Sequence, residues 1–271
     1  IAENPHDLTT LSIEELMEIK VGTVYSASRF QQKTIDAPSS VSIVTSADIK
    51  QYGYRTLADI LNSLKGFYTT NDRNYQYIGV RGFGRPGDYD TRVLLQIDGL
   101  RVNDNIYNTA SIGTDFMLDV DLIERVEVVR GPGSSLYGTN AFFGVINIIT
   151  KKGNGLNGFE LSGAAGSHET YKGRVTYGNA FKNGLDMIIS GSSYKSKGQS
   201  LYFKEYDNPA QNNGRSDGCD HDKSDSVFAK ISMKGLTLEG AYNSRSKGIP
   251  TGAWATTFNE SSNKTTDDNG F

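Results

Sequence analysis

The chain holds a single cysteine, Cys219, among 271 residues, so no internal disulfide framework supports it. Proline is scarce, at six residues, which excludes a Pro-rich linker or stalk. No apolar run approaches the roughly 18 residues of a membrane-crossing helix. Neither sign of charge dominates. The 28 Lys and Arg against 31 Asp and Glu leave a net charge of -3, so nothing suggests a nucleic-acid partner. The first residues, Ile1 to Leu8, lack a basic stretch followed by an apolar one, and any secretory leader is expected to be removed or not included. Serine elbows, paired carboxylates on a scaffold and phosphate-cradling glycine loops are also missing from the pattern. The chain is therefore expected not to be an enzyme and to need no cofactor.

What is present is glycine (30), tyrosine (15), phenylalanine (12) and strong patterning of the 37% apolar residues. The first half mixes helix starts with short strands. Ser12 with Glu15, flanked by Leu11 and Leu16, forms a capping box with a hydrophobic staple and predicts a short helix in an N-terminal extension, residues 1–20. Thr45 with Asp48 and Thr56 with Asp59 predict two more helices. The second has Leu57, Ile60, Leu61 and Leu64 on one face, with Gly66 placed to end it. Val93 to Ile97, Asp98-Gly99 and Leu100 to Val102 read as a tight hairpin, because Asp-Gly supplies the positive φ of a two-residue turn. Arg125 to Thr150 reads as two strands around the small-residue turn Gly131-Pro-Gly-Ser-Ser135. Residues up to about 153 thus form an α+β domain.

Beyond Gly153 no helix signal appears. Phe159, Leu161, Gly163, Ala165; Val175, Tyr177, Asn179, Phe181; Leu185, Met187, Ile189; Val227, Ala229, Ile231, Met233; and Leu236, Leu238, Gly240, Tyr242 alternate with polar neighbours in five strands. Each is about 9–11 residues, the length that crosses a bilayer when tilted. Periodicity alone fits a soluble sandwich equally well. The connections favour a barrel: Lys182-Asn183-Gly184 and Lys234-Gly235 are minimal turns, whereas Ser196 to Lys223 and the stretch from Lys247 are long and polar. Lys264 to Gly270 does not alternate, so no strand is expected there and Phe271 reads as a truncation point. The Cys219-Asp220-His221-Asp222 cluster matches no zinc or calcium loop spacing, and no metal site is assigned to it.

Four segments together resemble the plug domain of TonB-dependent outer-membrane receptors. They are Val80-Arg-Gly-Phe-Gly84, Gln96-Ile-Asp-Gly99, Arg125-Val-Glu-Val-Val-Arg130-Gly-Pro-Gly-Ser-Ser-Leu-Tyr137-Gly138, and Gly144-Val-Ile-Asn-Ile-Ile-Thr150. The resemblance implies an α+β plug domain (21–153) followed by the first strands of a truncated 22-stranded transmembrane β-barrel (154–271). It implies a Gram-negative outer membrane as the location, with the plug in the barrel lumen and the N-terminus in the periplasm. The implied function is energy-coupled uptake of a scarce, bulky nutrient. A ferric siderophore comes first and cobalamin or another chelate second. A passive porin or adhesin barrel is the reading from a different class.

The resemblance also assigns sites. Val21, Gly22, Thr23, Val24, Tyr25 and Ser26 resemble the TonB box, which would pair as a strand with TonB, energised by the inner-membrane motor. Arg81 and Arg130 are implied to lock the plug against barrel glutamates on strands beyond this sequence. Plug apices carrying Arg73, Asn74, Tyr75, Arg85, Asp88, Tyr89, Asn105 and Tyr107 are expected to meet a small-molecule metal chelate, where arginine neutralises acid groups and tyrosine supplies contact area. The remaining partner is outer-membrane lipid around the barrel wall. The stretch ahead of the box, about 20 residues, is too short for an added signalling domain, so a transporter is expected.

Overall fold

Capping chemistry places the first elements where the sequence predicts them. The structure, a computed structural model, describes residues 40–271 apart from residue 86, together with the backbone of two short strands ahead of them. Those strands, β1 (Thr23–Val24) and β2 (Gln32–Lys33), pair antiparallel. The helix predicted at Ser12 lies outside the described residues. Strand β3 (Ser40–Thr45) runs into helix α1 (Ser46–Tyr52). Thr45 and Asp48 form a reciprocal capping box, and Gly53 closes the helix in the left-handed region. Thr56 and Asp59 repeat the box on α2 (Leu57–Asn62). Gly66 does not end that helix: Ser63 caps it, and Gly66 sits further on at φ 87° in the turn into the next strand.

The plug's remaining strands are β4 (Phe67–Asn71), β5 (Gln76–Val80), β6 (Val93–Ile97), β7 (Leu100–Arg101), β8 (Ile123–Arg130) and β9 (Gly144–Thr150), with a one-turn helix α3 (Ser134–Tyr137) between the last two. The sheet order is β3-β8-β9-β6-β7, with β6 parallel to β9 and the other pairs antiparallel. Asp98 and Gly99 both take positive φ, as the predicted hairpin turn requires. Residues 125–150 form the expected antiparallel pair, Arg130 opposite Gly144. A Cβ on Gly144 would lie 2.7 Å from the Val129 carbonyl oxygen, so only glycine allows that approach. Leu57, Ile60 and Leu61 of α2 bury completely with Ile97, Ile112, Ile123, Val126, Val128, Ile146 and Ile148. Truncating one such leucine to alanine typically costs about 2–5 kcal/mol.

After a 3₁₀ turn at Gly153–Gly155 the chain becomes a wall of long antiparallel strands: β10 (Gly158–Gly166), β11 (Thr170–Ala180) and β12 (Leu185–Ser196). A small ladder of β13 (Leu201–Tyr202) and β14 (Arg215–Ser216) lies within the next loop. Then come β15 (Asp222–Met233), β16 (Leu236–Gly248) and β17 (Lys264–Gly270). The wall order is β10-β11-β12-β15-β16-β17, and this sheet is not closed among the described residues. The turns at 181–184 and 234–235 are minimal, as expected. The loops after β12 and β16 are long, and they meet through Tyr206 stacked on Phe258 at 4.1 Å.

Two expectations about the wall are corrected. Residues 264–270 do form a strand. Its inward Thr265, Asp267 and Asn269 all bond the polar plug, so the apolar alternation that marks a strand is absent. The inward face is not uniformly polar either. Ile188, Phe228 and Ala241 point inward and join the plug core. The outward face carries Phe159, Leu161, Val175, Ile189, Val227, Ile231, Leu238 and Tyr242, all exposed. A lipid-phase thiol probe should therefore label cysteines at Leu161, Val175, Ile189, Ile231 and Leu238 in the membrane-assembled receptor, and spare Thr176, Ser190 and Asn243. Equal labelling of both sets would contradict a membrane-facing wall.

Candidate functional site

Plug and wall meet along a polar seam. Lys230 of β15 reaches the plug hairpin turn, with its Nζ 2.7 Å from Asp98 Oδ2 and 3.1 Å from Thr150 Oγ1. Thr150 N–H closes the triangle by donating to Asp98 Oδ1. Lys172 Nζ lies 2.8 Å from plug Asp119, and Arg174 lies 3.6 Å from Asp121. At the domain junction Asp186 accepts from the amides of Gly153 and Asn154. A Cβ on Gly153 would sit 2.0 Å from the Met187 carbonyl oxygen, so the plug's last turn is pressed onto the wall. The ion pairs to β11 and β15 have one polarity: plug acid to wall base. A shielded charge needs such a partner, since removing one member typically costs about 3–5 kcal/mol.

Arg245 of β16 is the third anchor. Its Nε donates to Thr114 Oγ1 at 2.7 Å, one terminal nitrogen pairs with Asp267 at 3.1 Å, and the other donates to the Asn74 carbonyl. Its guanidinium also stands 5.6 Å from the Tyr75 ring. Tyr75 donates to Asp267 at 2.7 Å, and Thr265 donates to Asn74 Oδ1. Asn74 is 4% exposed. The structure thus turns Asn74 and Tyr75, expected to face ligand, toward the wall instead.

Of the other predicted apex residues, Arg73, Asn105 and Tyr107 are held outward by two turns of the same pattern, Asn-Asp-x-x-Tyr, at 71–75 and 103–107. In the first, Asp72 Oδ1 accepts the amides of Asn74 and Tyr75, and Oδ2 accepts the Tyr77 hydroxyl. In the second, Asp104 accepts the amides of Ile106, Tyr107 and Thr109. Burial opposes ionisation of Asp104, but these amides hold its carboxyl below the usual carboxylate range. Asn103 adds a buried brace to Leu95 and Val93. The first turn exposes Arg73 and the second exposes Asn105, Ile106 and Tyr107. Tyr107 stacks on Tyr89 at 5.6 Å, bringing Tyr89 and the second turn together. Arg85 is exposed, and Asp88 is paired with Arg92 at 3.0 Å. Ile106, 80% exposed at the tip, is the residue that sequence reasoning missed. The repeated Asn-Asp-x-x-Tyr pattern is the signal that would have found it.

The remaining predicted sites have these placements. Of the TonB-box candidate, Thr23 pairs with Lys33 and Val24 with Gln32, while Val21, Gly22, Tyr25 and Ser26 lie outside the described residues. Arg81 is exposed at φ 53°. Arg130 is half-buried, donates to Ser42 Oγ, and keeps a buried Nε without an acceptor among the described residues. Near Cys219 three carboxylates pair with cations: Asp220 with Lys247 at 2.7 Å, Asp222 with Arg245 at 3.5 Å, and Asp225 with Lys223 at 2.8 Å. Cys219 is buried, with its thiol directed at the Asp217 carbonyl.

This geometry agrees with the comparisons. Residues 33–145 match the model of the TonB-dependent receptor plug domain. The vitamin B12 transporter BtuB of Vibrio vulnificus is 29% identical over 197 residues, 70% of this chain and 31% of that protein. The iron-regulated outer membrane virulence protein of Vibrio cholerae is 35% identical over 133 residues, 48% of this chain and 20% of that protein. Among solved structures, the ferripyoverdine receptor of the Pseudomonas aeruginosa outer membrane superposes with a TM-score of 0.61 at 18% identity, covering 83% of this chain and 28% of that one. The ferric-catecholate import receptor Fiu of Escherichia coli K12 gives 0.60 at 20% identity, covering 82% and 30%. Residues 33–145 are a TonB-dependent receptor plug domain, and the antiparallel strands that follow resemble the barrel strands of those receptors. The chain spans about a third or less of the length of these relatives.

Asp90 supports the apex from below. Its Oδ1 accepts Ile78 N–H at 2.8 Å, while its Oδ2 is buried without a partner among the described residues. Burial, opposed by that amide and reinforced by Asp115 and Asp88, pushes its carboxyl up to about 8. A raised acid binds a proton in the folded state that the unfolded chain has released. Stability should therefore fall as pH climbs from about 4 to about 8 and level off above. Asp90→Asn keeps the amide acceptor and removes the titration. It should stabilise the fold more at pH 9 than at pH 5, by on the order of a few kcal/mol, read as a larger rise in the thermal midpoint at pH 9. An equal effect at both pH values would contradict a neutral buried Asp90.

Proposed function

We propose that the complete receptor takes up a bulky, polar metal chelate across the outer membrane, driven by TonB. The observation that carries this reading is the apex: two internally braced turns set Arg73, Asn105, Ile106 and Tyr107, beside Arg85 and Tyr89, at the loop end of the wall. The level follows from the wall contacts, because Arg245 and Thr265, which hold the first turn, lie near the ends of β16 and β17 that flank the long loop. Guanidinium groups suit the acidic periphery of a chelate, and the Tyr89–Tyr107 stack offers a planar apolar surface. Pre-braced turns lose little entropy on binding. Asn74, Tyr75 and Asp88 support the surface from behind in this reading.

The long loops then face outside and the short turns face the periplasm, as in outer-membrane barrels generally. Thr23–Val24 is where TonB would add a strand. Its main-chain groups already support pairing, and displacement of the short β1–β2 ladder would release them. Arg130, with its unsatisfied Nε, and Arg81 lock the far side of the plug to barrel carboxylates. The named functions of the relatives, vitamin B12 transport and iron-regulated virulence, make cobalamin and ferric siderophores the two ligands to test first. The exposed arginines favour the siderophore.

Val24→Pro removes a main-chain donor from the box. It should abolish energy-dependent uptake of the accepted ligand while surface binding persists. Uptake that survives both this change and a proton uncoupler would indicate a passive barrel.

A further inference from the structure

The inward rows of the wall differ sharply in what they touch. Strand register defines a lower row, Glu160–Thr176–Ser190–Phe228–Ala241, and the next row toward the loops, Ser162–Arg174–Ser192–Ser226–Asn243. In the lower row Thr176, Ser190 and Phe228 are 1–3% exposed, pressed against the plug. From the Ser192 row upward, strands β10, β11, β12 and β15 stand off from the plug around a cavity of about 590 Å³, while Arg245 of β16 still holds it alongside. Arg55 and Thr114 of the plug line one side, and Ser162, Ser192, Ser224 and Ser226 line the other. That volume lies within the range of ligand sites, roughly 300–1,000 Å³. Hydroxyls donate and accept in any direction, so such a wall offers many weak, exchangeable contacts and no deep trap.

The floor of the cavity carries the charges. Asp119 Oδ1 holds Lys172 at 2.8 Å. Its Oδ2 faces Arg174 Nε across 3.9 Å, and both atoms are buried without a hydrogen-bond partner among the described residues. Arg174 is also held by Glu160 and lies 3.6 Å from Asp121. This node is only partly closed, unlike the Lys230–Asp98–Thr150 triangle two rows below Arg174.

We propose that this cavity is the outer vestibule of the path a transported chelate follows between plug and wall, and that Asp119 with Lys172 and Arg174 is the gate at its floor. The proposal rests on the transport reading above. The partly closed node shuts the seam at rest but opens at less cost than the fully bonded anchors.

The test uses the full-length receptor in outer membranes, with Cys219→Ser as background. A water-soluble methanethiosulfonate reagent added from outside should react quickly with Ser192→Cys and slowly with Ser190→Cys, one row lower. Thr176→Cys is the second lower-row reporter should Ser190→Cys assemble poorly. Asp119 Oδ1 also accepts the Asp121 amide at 3.0 Å; Asp119→Asn keeps that acceptor but loses the ion pair. It should speed lower-row labelling at least about tenfold, equivalent to roughly 1.4 kcal/mol lost from the closed state. Glu169→Gln, which breaks only an exposed pair with Lys197, should leave it unchanged. Asp119→Asn should also sensitise cells to vancomycin, and filling the cavity with Ser192→Trp should reverse that sensitivity. Equal labelling of both rows at rest, no effect of Asp119→Asn, or vancomycin entry unaffected by Ser192→Trp would each overturn the proposal. Labelling needs neither ligand nor energy. A failure of the transport reading would appear separately, as uptake indifferent to an uncoupler.

Discussion

A charge enclosed between a plug and a barrel wall must find an opposite charge there, because water is no longer available to solvate it. The structure meets this constraint at three levels of the seam. Asp98 is held by Lys230, Asp119 and Asp121 by Lys172 and Arg174, and the Asn74 and Thr114 segments by Arg245. Each wall cation touches a plug segment that leads into the central sheet or the apex. The position of the sheet, the height of the apical turns and the course of the loops above them all depend on these contacts.

Polarity along the seam also divides the plug. Asp98, Asp119 and Asp121 face the cations of the wall, whereas Arg73, Arg81 and Arg85 remain exposed. The wall shows the complementary division. Its outer face is aliphatic and aromatic, and its inner face is polar except where Ile188, Phe228 and Ala241 enter the plug core. Hydrophobic docking at that level gives a tight lower seam, and above it the serines of β10, β12 and β15 leave space beside the Arg245 anchor. Strength below and room above is a sensible arrangement for an element that must hold at rest and move under force.

Local chemistry was legible in the sequence. Both capping boxes, the Asp98-Gly99 turn and the paired strands around Arg130 and Gly144 depend on neighbours within a few residues, and period-two alternation revealed the first five wall strands. Long-range effects were not legible. Asp98 reads as a turn former, and nothing local shows that it meets Lys230, 132 residues later. Strand β17 escaped detection because its inward face meets polar plug atoms and its outward face lies level with the loops. Asn74 and Tyr75 have a composition that suits ligand contact, and only the fold shows that Arg245 and Asp267 hold them. The TonB-box positions Val21, Gly22, Tyr25 and Ser26 rest on the resemblance alone.

The central claim is that acid-to-base pairs across the seam hold the plug on this wall, and a double-mutant cycle on Asp98 and Lys230 measures it directly. Asp98→Asn, Lys230→Met and the double variant would be made in the full-length receptor, with plug opening followed by native-state hydrogen exchange. Each single change should lower the plug's opening free energy by about 3–5 kcal/mol. The double variant should fall well short of the sum, with a coupling energy above about 1 kcal/mol. Additive losses, or singles that leave exchange at the wild-type rate, would contradict an ionic anchor between plug and wall.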